Sequence, residues 1–117
     1  MILQQANMFP EMTPFPGKPE SPSGFTELRT LLEQEATAFQ WPVVLVNGDS
    51  HYFRIDNPFR KDAAAGQRAP PSLENFVRVE TFGTPNHHWL HVTVDPNDPN
   101  VFTFRPRIVA ANVMKRN

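Results

Sequence analysis

The stretch Pro42-Val43-Val44-Leu45-Val46-Asn47-Gly48-Asp49-Ser50-His51-Tyr52-Phe53-Arg54-Ile55-Asp56 decides the fold. Pro42 to Asn47 is a continuous β-branched apolar run, the pattern of a strand covered on both faces in a parallel sheet. Gly48 to His51 end that run, and Tyr52-Phe53-Arg54-Ile55 resumes as a second, shorter strand with His51 at its entrance. A parallel strand needs a crossover connection, usually a helix. The residues just upstream supply one: Phe25, Leu28, Leu31, Leu32, Ala36 and Phe39 fall at helical spacing, interrupted only by Glu35. This predicts a helix over about residues 24–39, with Ser23 as its N-cap and Trp41-Pro42 as its stop. Further upstream, Ile2-Leu3-Gln4-Gln5-Ala6 is short and partly apolar and reads as a strand entered from its middle. Strand, helix, strand implies a right-handed crossover.

Between that opening and the helix, Pro10, Pro14, Pro16, Pro19 and Pro22 mark residues 10–22 as an extended Pro-rich connector. Residues 57–75, including Ala63-Ala64-Ala65-Gly66 and Pro70-Pro71, carry no hydrophobic period and read as a long flexible loop, available to a partner surface. From Phe76 the pattern alternates: Phe76-Val77-Arg78-Val79-Glu80-Thr81, Trp89-Leu90-His91-Val92-Thr93-Val94 and Val101-Phe102-Thr103-Phe104 each have one apolar face. Asp95 to Asn100 is turn chemistry between the last two. The expected fold is α+β: a short parallel βαβ unit followed by an antiparallel meander, in a single domain spanning residues 1–117.

Composition narrows the function classes. With 117 residues, 39% hydrophobic content and 10 Phe, the chain is long and apolar enough to bury one core. Its formal net charge of -1 comes from 11 basic and 12 acidic residues spread along the sequence. No basic stripe is present to neutralise a phosphate backbone, which argues against nucleic acid as partner. The absence of Cys removes disulfides, thiolate zinc sites and a thiol nucleophile. No apolar run approaches the ~18 residues of a membrane span, and Met1 to Gln5 resembles no targeting signal, so a cytoplasmic location is the default expectation.

In an open sheet, ligands gather outside the carboxyl ends of parallel strands. Gly48-Asp49-Ser50-His51 leaves the apolar strand at that end. If residues 2–6 run parallel to it, Gln5 and Asn7 leave the equivalent end, about 5 Å away if the strands are adjacent and about 10 Å if one intervenes. An Asp and a His separated by one residue offer an oxygen and a nitrogen to a divalent metal, and Gly48 lets the backbone turn. The plainer alternative makes Asp49 and Ser50 a polar turn and His51 the start of a solvent-facing strand, because Asp-x-His is short and common.

The segment from Val43 to Asp56 resembles the apolar strand and Gly-His-x-His motif that ends the metal site of calcineurin-like metallophosphoesterases. Gly48 and His51 match that motif, and Asp49 stands where it has its first His. The resemblance spans about residues 1–109 and is most specific over 42–56. It implies Asp49 and His51 as ligands of Mn, Fe or Zn and a phosphoester as substrate. Asn7 occupies the region where the family's preceding motif places a His, and could coordinate through its amide oxygen. The family's Asp-x-His, Gly-Asp-x-x-Asp and Gly-Asn-His motifs do not precede residue 48, so the chain is similar to a C-terminal portion that contributes part of the metal site. A portion of that kind would be inactive or weakly active alone. It would also leave a sheet edge uncovered, favouring self-association or a partner chain.

Other readings compete for the same residues. Gly48-Asp49-Ser50-His51 also resembles the first motif of phosphoprotein phosphatases, but the companion motifs do not follow it. Gly48-Asp49-Ser50 resembles the nucleophile turn of GDSL-type esterases, which needs a late Asp-x-x-His; none of His87, His88 and His91 has an Asp three residues before it. His88 could reach the site as a donor to a ligand or phosphate, although an exposed hairpin histidine is the commoner outcome. In the second function class the chain is a small β-rich binding or interaction protein without catalysis, and Gly48 to His51 is only a turn.

Overall fold

The computed structural model describes residues 1–9, 24–60 and 72–113. Their elements are β1 (Ile2–Leu3), α1 (Thr26–Phe39), β2 (Val43–Asn47), β3 (Arg54–Asp56), β4 (Phe76–Glu80), β5 (Trp89–Val94), β6 (Phe102–Arg107) and a 3-10 turn at Ala110–Asn112. The expected connector at 10–22, the Ser23 cap and residues 61–71 of the expected loop lie outside the described residues.

The class is α+β, with one helix and two sheets among the described residues. The first sheet has the order β1-β2-β4-β3, with β1 and β4 parallel to β2 and β3 antiparallel to β4. Leu45 lies opposite both Ile2 and Arg78, and Asn47 lies opposite Glu80. Strands β5 and β6 form an antiparallel hairpin in a sheet of their own, Trp89 opposite Arg107 and Val94 opposite Phe102. β4 thus differs from the expected meander: it lies between β2 and β3 inside the first sheet. Its alternation suggested one solvated face, yet Phe76, Arg78, Val79 and Glu80 are all buried. The polar residues of β4 face cross-strand partners of opposite charge rather than water.

The helix follows the expected period and stops where Gln40 adopts a left-handed φ of 61° while its N–H reaches Ala36 O at 3.3 Å. No side-chain cap starts α1. Asn75 clips the helix end to the entry of β4, its Nδ2 donating to Ala36 O and Trp41 O, each at 2.9 Å.

Met8, Phe9, Ala36, Leu45, Phe59 and Phe76 form the core under the helix, joined by Phe25, Leu32 and Val43. Phe59 meets Phe9 and Phe76 edge-on, at ring-centroid distances of 5.3 Å and 4.8 Å. Each such side chain contributes about 1.5–3 kcal/mol on burial. Phe59 belongs to the segment expected as a loop without hydrophobic period. Its burial, with Asn57 Nδ2 donating to Leu73 O at 2.7 Å, anchors both ends of that segment. On the opposite face of the sheet Val44 and Val79 are buried, and a cleft of about 320 Å³ runs between Val44, Val77 and Ile55 on one side and Phe102 and Phe104 on the other. Among the described residues no helix is long and apolar enough to cross a membrane.

Candidate functional site

Side chains on alternate positions of a strand share a face, so the register sorts the first sheet into two kinds of surface. Val43, Leu45 and Phe76 fall on the helix-covered face at the amino end of β2 and β4. Asn47, Arg78, Glu80, Arg54 and Asp56 continue the same face toward the carboxyl end. The core therefore gives way to a buried polar layer just below the loop Gly48–His51.

That layer is a ladder of complementary charge. Arg54 lies opposite Glu80 and Asp56 opposite Arg78 in the β3–β4 pairing. Arg54 Nε donates to Glu80 Oε2 at 2.8 Å, and Arg78 Nε donates to Asp56 Oδ1 at 2.7 Å with a second bond from Nη2 to Oδ2. Arg78 and Glu80 are fully buried, so each charge depends on its partner for the solvation that water would otherwise give. Arg78 also stacks over the Phe9 ring, 5.5 Å from its centroid.

The loop above is tied to β1's exit by backbone and side chain. Gly48 N–H donates to Gln5 O at 3.1 Å, extending the β1–β2 pairing past the assigned strands. The two exits are those of adjacent strands, the closer of the two expected arrangements. Asp49 accepts from Gln5 Nε2 at 3.3 Å on one oxygen and from Asn7 N–H at 3.4 Å on the other. The structure thus brings Asn7 and Asp49 together, but through the Asn7 backbone. The Asn7 amide oxygen accepts from Phe9 N–H at 3.0 Å and faces Arg78 Nη1 at 3.4 Å. Asn7 Nδ2 and Asn47 Oδ1, both buried, have no hydrogen-bond partner among the described residues.

Gly48 begins the turn, yet the left-handed conformations fall on Asp49 (φ 80°) and His51 (φ 59°), residue types that tolerate this region better than most. His51 is exposed, and its ring covers Gly83: a Cβ built on Gly83 would stand 2.4 Å from His51 Cδ2. His88 is not free in solvent. Its ring meets Phe82 edge-on at 5.1 Å, Phe82 stacks on Phe53 at 4.4 Å, and its Nδ1 accepts from Val109 N–H at 3.3 Å. An accepting nitrogen carries no proton, so in this arrangement the ring's proton sits on Nε2. His88 therefore braces the chain's return after β6, alongside the bond from Asn112 Nδ2 to His87 O. His91 lies on the hairpin beside Arg107, 3.4 Å from its Nη2.

Sequence reasoning missed Glu80, Asn47 and the pairing role of Arg54 and Arg78. A signal was present: Arg54-Ile55-Asp56 and Arg78-Val79-Glu80 carry opposite charges two residues apart, which pair completely when the strands run antiparallel. Among the described residues no group of three or more His, Cys, Asp or Glu is placed to hold a metal ion. No known family matches the chain, and neither a curated protein nor a solved structure does so.

Proposed function

We propose that the chain contributes part of a divalent-metal site for phosphoester hydrolysis, with Asp49 and His51 as its ligands to a Mn, Fe or Zn ion. One observation carries the reading: both residues sit in the loop just past the carboxyl end of β2, a strand flanked on each side by a parallel neighbour. Sheets of this kind collect ligands there. The two bonds that Asp49 accepts are long and leave lone pairs on both oxygens. The Asn7 amide oxygen would have to give up Phe9 and Arg78 to join a metal, so the proposal rests on Asp49 and His51. Resemblance to the calcineurin-like metallophosphoesterases supports the same assignment. Two-metal hydrolysis needs ions about 3.5–4 Å apart, and one carboxylate with one imidazole does not hold such a pair. The remaining ligands would come from another polypeptide segment.

Thermal melting with Mn(II) or Zn(II) tests the reading. A cation at about a hundred times its dissociation constant stabilises the folded state by about 2.7 kcal/mol, and Asp49→Ala combined with His51→Ala should abolish that rise. The chain alone should turn over a generic phosphoester negligibly with Mn(II). Robust metal-dependent turnover would overturn the partial-site proposal.

A second reading has its own observation. Both Asp49 oxygens already accept hydrogen bonds and the His51 ring already covers Gly83, as in a turn built only for structure. Here the chain is a non-catalytic binding or interaction protein. Melting curves that do not respond to Mn(II), Zn(II) or Fe(II) would decide for it.

A further inference from the structure

Glu80 ends β4 with no exposed surface, yet its carboxylate is the meeting point of three segments. Oε2 accepts from Arg54 Nε at the start of β3, 2.8 Å away. Oε1 accepts from Ser50 Oγ in the loop and lies 3.4 Å from Asn47 Nδ2 at the end of β2. The same Asn47 nitrogen donates to Gly48 O at 2.9 Å. Glu80 therefore grips the chain immediately before and within the turn that carries Asp49 and His51.

That turn needs an external hold. Ser50 stands between two left-handed residues that both have a Cβ, a backbone conformation that is costly unless the surroundings fix it. The loop's own bond, Ser50 N–H to Gly48 O, is 3.2 Å long. The hydrogen bond from the Ser50 hydroxyl to a fully buried carboxylate that also pairs with Arg54 is of the stronger, charge-assisted kind. Arg54, locked across the strand pair, prevents Glu80 from turning away.

We infer that Glu80 is a positioning residue: through Ser50 and Asn47 it fixes the left-handed turn at Asp49 and His51, and it links that turn to the β3–β4 pairing through Arg54. Both of its oxygens are occupied and it has no access to solvent, so it acts through the loop and not as a ligand. The consequence for cation affinity rests on the metal reading above, whereas the positioning itself does not.

Ser50→Ala is the decisive variant, because it removes one bond and leaves the Arg54–Glu80 pair intact. Amide hydrogen exchange is measured by NMR with EDTA present, so that no cation takes part. The amide of residue 50 should exchange about tenfold faster in Ser50→Ala, the loss expected for one such hydrogen bond. Amides of the β2–β4 ladder should be unchanged, and Ser50→Thr, which restores the hydroxyl, should recover the protection. Unchanged exchange at residue 50 would overturn the inference. So would a uniform acceleration across the ladder, since Glu80 would then merely hold the sheet together. A parallel Mn(II) titration by calorimetry should give about tenfold weaker binding in Ser50→Ala and recovery in Ser50→Thr. If the original chain binds no cation while the exchange result holds, the metal reading fails and the positioning of the turn stands.

Discussion

Gly83 has no room for a side chain, because an added Cβ would stand 2.4 Å from His51 Cδ2 and 2.9 Å from His51 Cβ. Gly48, the glycine expected to make the turn, has space: a Cβ there would come no closer than 3.7 Å to Gln5 O. Shape at the site is therefore set by a residue distant in sequence, in the segment that follows β4. Overpacking of this kind costs about 1–3 kcal/mol when the neighbours cannot move. Gly83→Ala should lose stability of that order in urea unfolding measured with EDTA. His51→Gly removes both the colliding ring and the Cβ, and in that background Gly83→Ala should be nearly harmless. A double-mutant cycle should return a coupling of about 1 kcal/mol or more, as expected for residues in contact. Additive effects would mean that the His51 ring moves aside without cost. Sequence reading found His51 from its neighbours, but it had no means of finding Gly83. The contact depends on the path of the chain after β4, which local pattern does not encode.

At the level of elements, α1 ends on Gln40 in the left-handed region, where a Cβ is unfavourable and glycine is the usual occupant. Gln40→Gly removes a left-handed penalty of about 1–2 kcal/mol and adds a glycine entropy cost of about 0.5–1 kcal/mol, so it should stabilise the chain by about 0.5–1 kcal/mol, read as a higher urea midpoint with unchanged slope. A lower midpoint would show that the Gln40 side chain contributes something its exposed position hides. The helix and β2 were legible from a period and a run: 3.6-residue spacing for α1, and for β2 a short, mostly β-branched apolar run, Val43 to Val46, bounded by Pro42 and Gly48. The place of β4 was not legible. Alternation specifies a strand and its two faces, but the same alternation fits a parallel neighbour, an antiparallel one, or both, as here. Arg78 and Glu80 seemed to mark a solvated face because buried charge is expensive. Pairing with Asp56 and Arg54 meets that expense, and the polar layer then carries the candidate site. Asp49 and His51 were readable as candidates from their location after β2. Their support by Gln5, Asn7 and, through Ser50, Glu80 needed the fold.

Across the molecule, several large apolar side chains of the described residues face outward. Phe25, Leu32 and Ala36 turn α1 toward the core, whereas Leu28, Leu31 and Phe39 form an adjoining stripe, with Phe39 59% exposed and Leu31 50% exposed. Trp41, 67% exposed, extends the stripe beyond the helix end. Residues 28, 31, 35 and 39 lie on one side of a helix of 3.6 residues per turn, so only Glu35 interrupts this surface. If the self-association or partner chain expected from the sequence occurs, this exposed stripe is a surface on which it would dock. Sedimentation of the purified chain should therefore show association that increases with concentration. Leu31→Lys with Phe39→Lys should return it to monomer, because two cations in the stripe are costly to bury, while the second also suits a last helical turn that has no basic residue. A chain that sediments as a monomer at every concentration would count against self-association, and one that associates equally well with both lysines would rule out this stripe as the contact.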